Sequence, residues 1–117
     1  MNKDKLRFFR SSDGAPRAEG DDDSTRVLAA FLESDLQDDA NTTGLLLGRL
    51  AAGNDADTQV DAFIGNAFAV TLDGDTVTLA GLAEGNTQAA MVDLEAMRRA
   101  VAGWLAFVSG RGPGEQW

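Results

Sequence analysis

Glu33, Asp35, Asp38 and Asp39, followed by Asp55, Asp57 and Asp61, form the densest gathering of side chains able to do chemistry. Carboxylates can work as an acid–base pair, hold a hard cation, or present a negative surface to a basic partner. An acid–base pair needs two of them converging in a pocket with one pKa raised, and no spacing here asks for that. Asp55-Ala56-Asp57 and Asp73-Gly74-Asp75 resemble pieces of calcium loops. Neither continues with the twelve-residue ligand spacing or its closing Glu. The remaining use is a loose anionic cluster that imitates phosphates and caps a basic cleft. Its plain alternative is a solvated helix face and loop.

The other reactive residue types are missing. There is no Cys, His or Tyr, which removes disulfides, zinc sites with Cys or His ligands, thiol chemistry and any triad or dyad built on His. The glycines around Leu45 to Gly53 carry no Gly-Lys-Ser/Thr and no Gly-x-Gly-x-x-Gly, so nucleotide binding has no support. Arg98-Arg99, with Arg111, is the one basic cluster of the C-terminal half and reads as a solvated helix face. The expectation is a protein that is not an enzyme, with no catalytic residue, no metal and no cofactor.

Charge is unevenly placed. Residues 21 to 95 hold 15 Asp and Glu against Arg26 and Arg49, a net −13, while residues 1 to 10 carry +3, within an overall −9. A field of that sign repels nucleic acid and anionic membrane and speeds encounter with a basic partner. The start, Met1-Asn2-Lys3-Asp4-Lys5-Leu6-Arg7, leads into no apolar run, and nothing approaches the ~20 apolar residues of a membrane span. A cytoplasmic protein is expected. With 117 residues, the chain can bury roughly two thirds of its unfolded surface as one domain. That domain is expected over 1–110, with 111–117 as a flexible tail containing Gly112-Pro113-Gly114.

Several elements must position these carboxylates. Gly65 to Ala80 reads as a β-hairpin, two alternating runs around Asp73-Gly74. With Asp73 and Gly74 as the loop of a type I′ turn, Leu72 faces Asp75, Thr71 faces Thr76, Val70 faces Val77, Ala69 faces Thr78 and Phe68 faces Leu79. The tip then presents Asp73 and Asp75 at an exposed end of the sheet. Lys5 to Arg10 and Ala15 to Glu19 suit strands, the latter an edge because of Pro16. Asp21-Asp22-Asp23 reads as a solvated loop. Arg26 to Leu32 fits a helix from Ser24 or a buried strand equally well. Leu36, Ala40, Thr43, Leu47 and Leu50 share one helical face, with Gly53 as C′ residue and a break near Asn41-Thr42-Thr43 as the alternative. Gln59 to Ile64 and Gln88 to Val92 can add strands to a meander. Asp93 reads as the N-cap of a helix whose stripe is Leu94, Met97, Val101, Trp104, Leu105 and Val108, ended by Gly110. That helix should pack on the core face of the hairpin. The fold class is α+β, an antiparallel hairpin or meander packed by two or three helices.

The order of these elements also resembles a known family. Phe31-Leu32-Glu33-Ser34-Asp35-Leu36-Gln37, a Leu-rich helix ending Leu50-Ala51-Ala52-Gly53, Gly65-Asn66-Ala67-Phe68-Ala69-Val70-Thr71-Leu72 with Val77-Thr78-Leu79, and Leu94-Glu95-Ala96-Met97 leading to Trp104-Leu105-Ala106-Phe107 together resemble CdiI-type immunity proteins of bacterial contact-dependent growth inhibition. Small YacL-type proteins share a similar pattern. The likeness covers roughly residues 26 to 108. It implies an α+β domain that binds, one to one, the C-terminal toxin domain delivered by a sibling cell, often a basic RNase, and occludes its active site. Charge makes Glu33, Asp35, Asp38, Asp39, Asp57, Asp61, Asp73 and Asp75 the candidate contacts. A small acidic secretion chaperone, dimeric and holding an effector segment along its sheet, is the alternative of another class.

Overall fold

The computed structural model describes residues 6–52, 59–65, 67–82 and 88–110. Strand β1 (Leu6–Arg10) buries Leu6 and Phe8 and leaves Phe9 and Arg10 exposed. It pairs antiparallel with β2 (Pro16–Gly20), from Leu6↔Gly20 to Arg10↔Pro16. Pro16 stands at the first position of its strand, where a missing N–H is tolerated. In the turn between them, the Asp13 carboxylate accepts from the Ser11 hydroxyl and, at 3.2 Å, from the Ala15 N–H.

The run Asp21-Asp22-Asp23 is not a free loop, because it starts helix α1 (Asp23–Phe31). Asp22 accepts from the Thr25 N–H at 2.9 Å while its own N–H donates to Thr25 Oγ1 at 3.0 Å, a reciprocal cap that satisfies two orphan donors. This cap settles Arg26 to Leu32 as helix, begun ahead of Ser24. The chain continues through a π-helical turn (Leu32–Leu36), closed by the Gln37 N–H donating to Leu32 O at 2.8 Å. Gln37, at φ 50° and ψ −139°, ends it. Asp39 then caps helix α2 (Ala40–Ala52), accepting from Thr42 N–H at 3.0 Å and Thr42 Oγ1 at 2.7 Å. The continuous helix expected from Leu36 to Leu50 is therefore interrupted at residues 37–39, ahead of the Asn41 to Thr43 break. In α2 the buried side chains are Thr43, Leu46 and Leu50. Gly53 lies outside the described residues.

Strands β3 (Gln59–Ile64), β4 (Phe68–Asp73), β5 (Thr76–Gly81) and β6 (Ala89–Asp93) form an antiparallel meander in the order β3-β4-β5-β6. The hairpin register differs from the expected one. Asp73 pairs with Thr76, Leu72 with Val77, Thr71 with Thr78 and Val70 with Leu79, so Gly74 and Asp75 are the loop. The shift gives Leu72 an apolar partner in place of Asp75. Gly74 at φ 62° takes the first central position, where a type II′ turn wants glycine. The carbonyl of Asp75 is also claimed, accepting from Leu94 N–H at 2.7 Å.

Helix α3 (Leu94–Val108) starts at the expected cap, Asp93 accepting from Ala96 N–H at 2.7 Å. It buries Leu94, Met97, Ala100, Val101, Trp104 and Phe107; Leu105 and Val108 of the expected stripe are half-buried. Phe8 meets Trp104 edge-on at 5.2 Å and tilts against Phe107 at 5.9 Å, which fastens the β1–β2 hairpin to α3. Phe68, Val70, Leu72, Val77 and Leu79 join this helix and α1 in one core. The fold is a single compact α+β domain.

Candidate functional site

Three of the eight candidate carboxylates hold the protein together. Glu33 accepts from Arg17 Nε at 2.9 Å and from Ala18 N–H at 2.6 Å, joining the π-helical turn to β2. Asp35 reaches across more than thirty residues to accept from Ala67 N–H at 2.9 Å and Phe68 N–H at 3.0 Å. Its partner in shape is Gly65, where an added Cβ would collide with the Asp35 carboxyl group. Gly65, Ala67 and Phe68, leading into β4, thus cradle a carboxylate. Asp39 is the α2 cap, and its hydrogen bonds from the Thr42 backbone and hydroxyl hold its carboxyl below the ordinary carboxylate value. Asp38 is exposed, 3.8 Å from Arg10. Asp57 and Asp55 lie outside the described residues.

Asp61, Asp73 and Asp75 are exposed and make no ion pair among the described residues. Register explains what they share. Ladder partners line up across the four strands in rows, and alternate rows face away from the core. One outward row is Ile64, Ala69, Ala80 and Ala89; the next is Asp61, Thr71, Thr78 and Met91; the third contains Asp73, Thr76 and Asp93. None of these side chains is buried, and none is Lys or Arg. The face therefore runs from apolar to acidic along the strands, with Asp75 at the β4–β5 tip beyond the acidic row. Beside that tip, Asp75, Asp93, Leu94, Glu95 and Arg98 line a cleft of about 310 Å³. Arg98 does not compensate the Asp rows fully, since it donates from Nε to Leu50 O at 2.9 Å and from a terminal nitrogen to Ala51 O at 3.3 Å. This also corrects its reading as a solvated side chain, because Arg98 caps the C-terminal carbonyls of α2.

Two further polar contacts fix the frame behind the face. The β3–β4 register slips between Asp61 and Phe63, a bulge at Ala62 whose carbonyl accepts from Arg49 at 2.8 Å. Bulges re-aim neighbouring side chains, and this one returns both Asp61 and Ile64 to the outer face. Trp104, wholly buried, donates its indole N–H to Gln37 O at 2.8 Å, pinning the residue of unusual φ. Residues such as Ile64, Met91 and Asp93 were not among the expected contacts. Their alternation was visible, but their common row was not.

Among the described residues no three Asp or Glu side chains stand close enough to hold a metal ion. Nor is any described helix long and apolar enough to cross a membrane. Comparison with family models, curated proteins and solved structures finds no match to this chain.

Proposed function

We propose that this protein is an immunity-type inhibitor: it binds a cognate toxin domain with a basic, nuclease-like surface, one to one, in the bacterial cytoplasm and covers its active site. The observation that carries the reading is the division of the acidic side chains. Glu33, Asp35 and Asp39 are committed to caps and ties, whereas Asp61 and Asp73 on the outward face, and Asp75 at the β4–β5 tip, make no ion pair among the described residues. A solvated antiparallel face ordinarily mixes long charged side chains of both signs. This one is built of Ala, Thr, Ile, Met and Asp, smooth enough to approach and of one sign, which suits rapid association with a positive surface. The resemblance of residues 26 to 108 to CdiI-type proteins supplies the toxin as the class of partner. No catalytic role is assigned to any residue.

Co-expression tests this directly. The toxin domain encoded immediately upstream is induced with and without the protein, and growth and RNA integrity are followed. Protection together with a one-to-one complex in size-exclusion chromatography is expected. Cell death at the same rate with both present contradicts it. A dimer that captures only an unfolded segment would point to the chaperone alternative instead.

A further inference from the structure

We infer that the outer face of the four-stranded sheet is a seat for a basic, amphipathic α-helix of the partner, laid along the strands. This deepens the proposed function, since it names the element that the acidic face receives.

Four strands span about 14 Å between the outer strand axes at ~4.8 Å per spacing, and a helix with its side chains is about 10–12 Å across. Ile64 on β3 and Met91 on β6, 63% and 67% exposed, stand at opposite edges of the face. Between them the floor is Ala69, Thr71, Thr78 and Ala80, side chains short enough to let a helix approach closely. The same sheet already carries α1 and α3 on its other face, so a helix on this one would complete a third layer.

Charge selects the occupant. The rows contain no cation, and their carboxylates lie toward one end: Asp61 in the middle row, Asp73 in the last beside Asp93, whose carboxylate caps α3, and Asp75 at the tip. A second copy of this face would bring these carboxylates no cation. A helix with apolar residues over the alanine row and Lys or Arg over Asp73 and Asp75 satisfies both ends. If its N-terminus lies at the acidic end, its dipole adds to the attraction.

The test needs no toxin. The full 15N-labelled chain is titrated with a synthetic amphipathic helix of Ala and Leu bearing Lys at one end, and with the same peptide carrying Glu for Lys. The Lys peptide should shift amides of β3 to β6 and bind at least tenfold more weakly to Thr78→Arg, whose side chain fills the floor. Ala80→Arg serves if Thr78→Arg melts early. The Glu peptide should leave the spectrum unchanged. Silence up to millimolar Lys peptide, shifts confined to the helices, or indifference to a folded floor variant would overturn the inference. Such a failure would leave neutralisation standing with contacts elsewhere, whereas success here beside failed co-expression would remove the toxin reading alone.

Discussion

Asp35 and Gly65 show how a single side chain can look functional and be structural. Their contact does not follow from the turn chemistry of either segment; it exists because a partly buried carboxylate needs donors, and Ala67 and Phe68 offer two N–H groups. Removing the acceptor in Asp35→Ala should cost about 1–3 kcal/mol, the usual penalty for stranding such groups, with Asp35→Asn losing less. Gly65→Ala should cost a similar amount, roughly 1–3 kcal/mol, because its methyl collides with the carboxyl group. The double variant Asp35→Ala with Gly65→Ala should lose less than the sum, since the first change removes the second one's obstacle. Gly48→Ala is the control: open space surrounds that position in α2, so stability should rise by about 0.5–1 kcal/mol. Urea denaturation reads all five variants; strict additivity of Asp35→Ala and Gly65→Ala would contradict the cradle.

Caps organise the elements, and some of them titrate. The Asp39 carboxyl is held below its ordinary value near 3.8 by the Thr42 backbone and hydroxyl, and Asp13 is held low by the Ser11 hydroxyl and the Ala15 N–H. For a lowered carboxyl, the ionised form is favoured by folding. Its stabilisation is complete above the unfolded value and disappears as pH falls through the folded one. The melting temperature should therefore fall below about pH 4, and Asp39→Asn, which keeps an acceptor at the cap, should make that fall shallower. An unchanged pH profile in Asp39→Asn would separate the cap from acid sensitivity.

At this scale the sequence was most readable where chemistry is local. The Asp93 cap, the β6 return and the helix after it followed from neighbouring residues alone. The Asp22 cap was hidden in a run of three aspartates that looked like loop, and the Thr25 hydroxyl was the signal that could have found it. Sequence alone puts the hairpin tip one residue early because both Asp73-Gly74 and Gly74-Asp75 make two-residue loops. Distant groups decide between them: Leu72 needs Val77, and Leu94 N–H takes the Asp75 carbonyl. The α2 start likewise depends on Gln37, whose backbone is held by Trp104, 67 positions along the chain.

For the whole molecule, the register sorted the charges in a way composition could not. Eight carboxylates are equivalent as a list; folded, Glu33, Asp35 and Asp39 serve the frame, Asp61 and Asp73 share an open face, and Asp75 stands at its tip. Only these last three should govern encounter with a basic partner. The most direct measurement is the association rate of the purified protein with the proposed toxin partner across a salt series. In Asp61→Lys with Asp73→Lys, the account predicts association at least about tenfold slower at low salt and a flatter salt dependence. Asp38→Lys, beside the β1–β2 hairpin, should associate like the unmodified protein. Equal rates for the double variant and the unmodified protein, or slowing by Asp38→Lys alone, would contradict the claim that the outer sheet face meets the toxin.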